Sequence, residues 1–454
     1  MSPYTQCFSR IARTRSRPLQ WRRLPARCYA TSTADDPPWF QQLRTEMLGR
    51  DAISSREFID ETIDHKLTDT LSTFLPQEWC SRIRGKGKVV PVGHHLVWFN
   101  TSMPVDKLLP DGTDPLQSPG DPWVRRMWAG GSVKIRPEAY YDLSTGFTTD
   151  NFVVCAEHIS DVQLRGQGDA AKIFVTIERK FARHDLLRDK HVASIQGAQR
   201  KRERGIGPQS YFRKQLKSEG WGDAVLVEQR NLVFLKDKTP AELEAIAAGD
   251  MAPIRYLKPP GEPDFSYTLT PTRTLLFRYS ALTFNAHLIH LDREYARNVE
   301  GHRNLLVHGP LSLTLMLQAM SAHIKAKSEG LLVLESIEYR NLAPLYCDEE
   351  MRICGRRKEN SASGGWLFDI WIEGPSGGVA VKGTVLTSDD LRSGAQRTIE
   401  KREAGKKLTG NTNIRFVTPG GDLQANVTSK SKRDRSSRGR QEQAKPAGIG
   451  VDHT

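Results

Sequence analysis

The sequence predicts an α+β fold made of two related halves. A long apolar helix over 310–325 is followed by four strand segments with alternating faces, an α+β order. An earlier strand-rich stretch repeats that layout without as clear a central helix, as a degenerate internal duplication would. The length, 454 residues, fits two or three units rather than one small domain.

The elements follow in chain order. Residues 1–34 hold seven Arg and no acid, the composition of a mitochondrial transit peptide. Arg10, Arg13 and Arg17 share one side of a short helix, and Arg27-Cys28-Tyr29-Ala30 resembles a matrix-protease site. The expected address is the mitochondrial matrix. The first half is expected over 35–236. Residues 38–80 read as helical, with Phe40, Leu43, Ile63, Leu67 and Leu71 at helical spacing. A loop rich in Pro, Gly and Asp covers 108–121, and strands are predicted over 131–137, 152–164, 172–181 and 224–235. Residues 179–217 carry a local charge of +9 and read as an exposed basic insertion. Residues 237–270, with a short helix and then Pro-rich chain, read as a linker. The second half is expected over 271–388. It opens with a strand over 274–279, continues through a His-rich loop into the apolar helix, and ends in strands over 331–341, 351–357, 366–373 and 378–387. In that helix Leu313, Met316, Leu317 and Met320 form a core stripe. The polar, basic stretch 389–454 reads as a disordered tail.

The net charge of +13 suggests nucleic acid until it is located. Residues 1–34 carry +7, residues 391–454 carry +8, and the body between them carries −2. The basic runs also lack the interleaved aromatics that stack on bases, so no nucleic-acid partner is expected. The most apolar stretch, 305–320, contains His308, Gly309, Pro310 and Gln318, which excludes a membrane-spanning helix there. Six cysteines form no CxxC pair, so neither a disulfide framework nor a zinc site is expected.

The informative segment runs from Phe277 to Asp292, with Val307-His308-Gly309-Pro310 later at the head of the apolar helix. It offers imidazoles and an amide on a loop, and a glycine where a helix begins. Free N–H groups at a helix start polarise a carbonyl oxygen, and a neutral imidazole takes a proton from the adjacent carbon. Those parts suffice to add or remove water beside a thioester carbonyl. No carboxylate spacing supports a metal among the histidines.

These residues resemble the hydratase 2 signature of the hot-dog superfamily, the MaoC-like enzymes, in which an Asp lies five residues before a His and a His-Gly follows. The longer run Phe277-Arg278-Tyr279-Ser280-Ala281-Leu282-Thr283-Phe284-Asn285-Ala286-His287 resembles the mitochondrial 3-hydroxyacyl-thioester dehydratase type 2 family. It also resembles bacterial mesaconyl-C4-CoA hydratases. Arg125 to Gly131 and Arg340 to Leu345 resemble further segments of the same proteins. The resemblance covers roughly 55–388 and implies a double hot-dog fold, two antiparallel sheets each around a helix, the first half degenerate. It implies a (3R)-hydroxyacyl-thioester dehydratase of mitochondrial fatty-acid synthesis, or else a hydratase of CoA thioesters.

The roles carry over by position. His290 falls on the catalytic His and is expected to titrate near matrix pH. Asn285 falls on the catalytic Asp, where it can orient water but cannot take a proton. Gly309 N–H is the expected carbonyl donor. His287 and Asp292 are the candidate proton relay, though Asp292 also reads as a cap and His287 as loop packing. His308 and Arg278 are expected at the substrate. No cofactor is expected, because phosphopantetheine of acyl carrier protein or CoA carries the substrate. Arg200, Lys201, Arg202 and Arg204 offer an acidic carrier a docking surface, with a solvated basic loop as the alternative. A homodimer is compatible with this reading.

Overall fold

The computed structural model describes residues 36–390, except 81, 82, 84, 86, 195–206, 217–219, 250–255 and 359–364. The expected transit peptide, the basic tail from 391 onward and the cluster Arg200, Lys201, Arg202 and Arg204 lie outside the described residues. The strands are β1 (Ile53–Ile59), β2 (Arg125–Ile135), β3 (Asn151–Arg165), β4 (Lys172–Arg183), β5 (Leu226–Leu235), β6 (Phe265–Leu269), β7 (Leu332–Asn341), β8 (Met351–Arg357), β9 (Leu367–Glu373) and β10 (Val379–Asp389). The helices are α1 (Pro38–Leu48), α2 (Glu61–Leu71), α3 (Pro137–Tyr140), α4 (His184–Ser194), α5 (Pro208–Lys214), α6 (Pro240–Ala247), α7 (Arg273–Leu282) and α8 (Gly309–Lys327).

All ten strands join one antiparallel sheet in the order β1-β3-β4-β5-β2-β7-β10-β9-β8-β6. Numbered within its own half, each set runs first, third, fourth, fifth, second. The two second strands, β2 and β7, pair at the centre, with Ser132 opposite Glu338 and Val133 opposite Ile337. The halves therefore repeat one topology about the β2–β7 seam. In each half the first strand is followed by a helix, and these two helices, α2 and α7, pack together.

Helix α8 is wrapped by its half of the sheet. Leu311 to Leu317 are buried without a break, so the helix has no solvent face over those two turns. Leu313, Leu315, Met316 and Met320 share one core with Ile337, Ile353, Phe368, Ile370 and Val385. Each such side chain contributes roughly 1.5–3 kcal/mol on burial. The first-half counterpart of α8 is one 3-10 turn, His94–Val97. Part of that half's sheet stays uncovered, and Ile177, Arg230 and Leu232 there line a cavity.

Four sequence expectations change. The helical stretch 38–80 is broken by β1, which pairs with β3; β-favouring Ile53, Phe58 and Ile59 sit in it. The strand expected over 274–279 is helix α7. Thr272 caps it by accepting from Leu275 N–H, and buried Leu275, Leu276, Tyr279 and Ser280 follow helical spacing. The linker 237–270 contains β6, an edge strand paired with β8, so the second half begins inside it. The insertion 179–217 starts as part of β4, and Arg179 is only 1% exposed. Beyond β4, Leu187 of α4 and Phe212 of α5 are buried with Val154 and Ala156 of β3.

Arg179 is buried because its charge is answered. Its guanidinium donates to Glu228 at 2.9 Å and to Phe99 O at 2.6 Å, and lies 3.0 Å from Glu157. Arg230 donates to the other Glu228 oxygen at 2.7 Å. Burial alone would raise the Glu228 carboxyl, but Arg230 and Arg179 hold it down at about 2.

Candidate active site

The site is assembled where α7 ends and α8 begins. Thr283 hydrogen-bonds back to Tyr279 O, and Phe284 takes a left-handed conformation at φ 50° that turns the chain off the helix. Asn285 Oδ1 then accepts the His287 N–H at 3.1 Å, an Asx turn that fixes the loop. A 3-10 turn, Leu288–His290, follows.

Three imidazoles meet there. His290 Nδ1 lies 2.8 Å from Leu306 O. A carbonyl can only accept, so Nδ1 carries the proton and Nε2 keeps a lone pair. His308 stacks on His290 with centroids 3.7 Å apart, and its Nε2 lies 2.8 Å from Ser280 Oγ. His287 stands edge-on to His290 at 5.5 Å. Burial pushes the His290 imidazole down to about 4, against the expectation of a value near neutrality. Burial and the neighbouring histidines push His287 and His308 well below the usual range. All three imidazoles are neutral at physiological pH.

Gly309 opens α8, so its N–H has no carbonyl one turn back to bond. A Cβ at this position would lie 2.9 Å from Asn341 Nδ2 and 3.0 Å from Trp128 Cβ. Asn341 Nδ2 donates to Trp128 O at 2.8 Å, and Trp128 Nε1 donates to Tyr339 OH at 2.7 Å. Side chains on β2 and β7, either side of the seam, thus leave no room for a side chain at this glycine.

A cavity of about 770 Å³ collects these groups: Asn285, His287, His290, His308 and Gly309 all line it. The first half adds Trp128, Arg126 and the loop Gly112 to Asp114. Two expected residues stand elsewhere. Arg278 is exposed on α7 and does not line the cavity. Asp292 is also exposed, and its Oδ1 accepts the Tyr295 N–H at 3.0 Å, so it caps the next turn instead of relaying protons.

Sequence reasoning missed one carboxylate. Asp111, 6% exposed, places Oδ2 3.4 Å from His287 Nε2. Its local signal is an Asp two residues before a Thr in a Gly-rich loop, which identifies a turn but not a partner in the other half of the chain. Ser280 and Asn341 were within quoted segments without an assigned role.

An apolar helix wrapped by antiparallel strands, its first residue lining one cavity with a neutral imidazole, marks a hot-dog enzyme of the hydratase and dehydratase class. The chain belongs to the hydroxyacyl-thioester dehydratase type 2 family, whose profile matches residues 93–200 and 184–347. It is 26% identical over 304 residues to the mitochondrial hydroxyacyl-thioester dehydratase type 2 of Schizosaccharomyces pombe, covering 66% of this chain and 88% of the relative. It is 37% identical over 158 residues to the mesaconyl-C(4)-CoA hydratase of Chloroflexus aurantiacus, covering 35% of this chain and 49% of that protein. A MaoC-like dehydratase from Phytophthora capsici superposes over 76% of this chain and 99% of its own, with 14% identity and a TM-score of 0.46.

Proposed function

We propose that the protein interconverts (3R)-hydroxyacyl and 2-enoyl thioesters in mitochondrial fatty-acid synthesis, acting in the matrix on substrates borne by acyl carrier protein. That His290, Asn285 and Gly309 all line one cavity supports this reading. Gly309 N–H holds the thioester oxygen as negative charge develops, a contribution of roughly 3 kcal/mol. His290 Nε2, freed by the Nδ1 bond to Leu306, takes the α-proton. Asn285 has its oxygen committed to His287 N–H, and offers its amide N–H to the substrate hydroxyl or to water. The acyl chain extends along the uncovered first-half wall at Leu96, Phe99 and Leu232. No step asks for a metal or a redox cofactor.

A CoA-thioester hydratase is the second reading, favoured by the 37% identity over 158 residues to the Chloroflexus enzyme. Rates on matched carrier-protein and CoA thioesters separate the two. The test common to both is His290→Ala. Turnover is expected to fall by about 10²–10⁴-fold with the melting temperature little changed. Wild-type turnover in that variant would refute the assignment.

A further inference from the structure

With Asn285 in the place of an acid, the hydroxyl that leaves still needs a proton. We infer that His287, held by Asp111 from the first half of the chain, supplies it. This rests on the dehydratase reading above and completes it.

The placement of Asp111 is built, not incidental. Its Oδ1 accepts from Thr113 N–H at 2.9 Å and from Thr113 Oγ1 at 2.7 Å, which leaves Oδ2 for His287 Nε2 at 3.4 Å. Its backbone oxygen accepts the Leu288 N–H at 2.9 Å, tying the two loops together inside the catalytic turn. Gly112 makes that approach feasible. Its φ is +81°, and a Cβ there would lie 2.1 Å from Ala286 O. Both side chains are buried, Asp111 at 6% and His287 at 7% exposure. Nearby Asp114 is already paired with Arg126 at 3.1 Å. With Nε2 turned to Asp111, Nδ1 is the His287 nitrogen left for the cavity. Contacts of this kind commonly tighten by tenths of an ångström when substrate binds.

His287 is neutral with its proton on Nδ1, and the proton shared across the Asp111 contact is drawn onto Nε2 as Nδ1 gives up its own, so no lone imidazolium is buried. In dehydration the Cα–H bond breaks and its proton goes to His290 Nε2. The C–H electron pair becomes the Cα=Cβ bond. The Cβ–O bond breaks, its pair leaves on oxygen, and the proton from His287 Nδ1 joins that oxygen to release water. The proton on His290 then returns to His287 Nδ1 through a water. Hydration runs the same steps backward. His287 is the group at the substrate, and Asp111 is the positioning residue that holds its tautomer and resupplies its proton.

The test uses full-length Asp111→Asn with (3R)-hydroxybutyryl-CoA in D₂O. The amide keeps the Thr113 bonds and the backbone tie, but cannot share a proton. Expected are a fall in kcat of about 10²–10³-fold, a KM within about threefold of wild type, and continued exchange of the substrate α-hydrogen for deuterium. Exchange without elimination shows that His290 still works while the acid is missing. Wild-type kcat in the variant overturns the inference. So does a parallel loss of exchange and elimination, which marks Asp111 as merely structural. If Asp111→Asn does not fold, His287→Gln carries the same readouts and outcomes. A wild-type protein inert on every hydroxyacyl thioester overturns the dehydratase reading itself, a result separate from these.

Discussion

His290 and His308 stack face to face, with ring centroids 3.7 Å apart and planes 22° from parallel. Two imidazoles this close tolerate little positive charge. Each is anchored on its far side, His290 by Leu306 O and His308 by Ser280 Oγ. The Leu306 bond leaves the His290 Nε2 lone pair bare, on a rigid support.

The pH dependence follows from burial. His290 and His95 each titrate at about 4 in the folded protein, driven down first by burial, against about 6.5 unfolded. The unfolded chain thus binds more protons between those values. Stability is fully present above about pH 6.5 and falls as pH drops toward 4, by up to about 1.4 kcal/mol per unit for each group. Thermal melts across pH 4–8 should show a plateau and then this decline. The acid limb of kcat/KM, assigned to free His290, should lie near 4; a limb at 6.5 would contradict the buried, neutral base.

Gly309→Ala tests the carbonyl donor. The new methyl meets Trp128 and Asn341 at about 3 Å and pushes the helix start away from the cavity. The expected stability cost is about 1–3 kcal/mol. Dehydration should fall by about 10²-fold or more through loss of the N–H alignment. Urea titration measures the first and steady-state kinetics the second.

Asn285→Asp puts a carboxyl back on the catalytic loop beside His287. A folded protein is expected, because a carboxylate oxygen can still accept the His287 N–H. In the Asp111→Asn background it should restore at least tenfold of the lost kcat, an order typical of a general acid placed imperfectly. No recovery in the double variant would show that the two carboxyl positions are not interchangeable.

Arg179→Met removes the cation that serves both Glu157 and Glu228. Breaking a buried ionic cluster from one side costs about 3–5 kcal/mol. Adding Glu228→Gln should recover part of that loss. Chemical denaturation of the single and double variants checks both numbers, and a cost under about 1 kcal/mol for Arg179→Met would contradict the cluster.

Much of the second half was legible in the sequence. Helix α8 and strands β7 to β10 have strong local patterns, and the burial they imply is observed. Segment 274–279 was misread because Thr, Leu, Phe and Tyr serve strands as well as helices. The Thr272 cap and the packing of α7 on α2 decide the matter, and the second of these is tertiary. Strand β6 is short and sits among Pro and Gly, so its alternation of Phe265, Tyr267 and Leu269 was passed over. Within the site, Asn285, His287, His290, His308 and Gly309 are brought together on one cavity. Asp111 could not be found that way, because its meaning comes from the loop of the other half. Arg179 was read from its basic neighbours, whereas its burial follows from Glu157 and Glu228 across the strands.

The β2–β7 seam has one more consequence. Two identical subunits meeting at such an edge would each have to keep both a wrapped helix and a reactive loop. Here a single polypeptide guarantees one copy of each half, so the two are free to specialise. The first half has given up most of its helix, which leaves room for a cavity, while Trp128 and the Asp111 loop reach the residues of the other half. Cutting the chain between α5 and β6 would therefore yield no half-active fragment, only a wall without its catalyst and a catalyst without its wall.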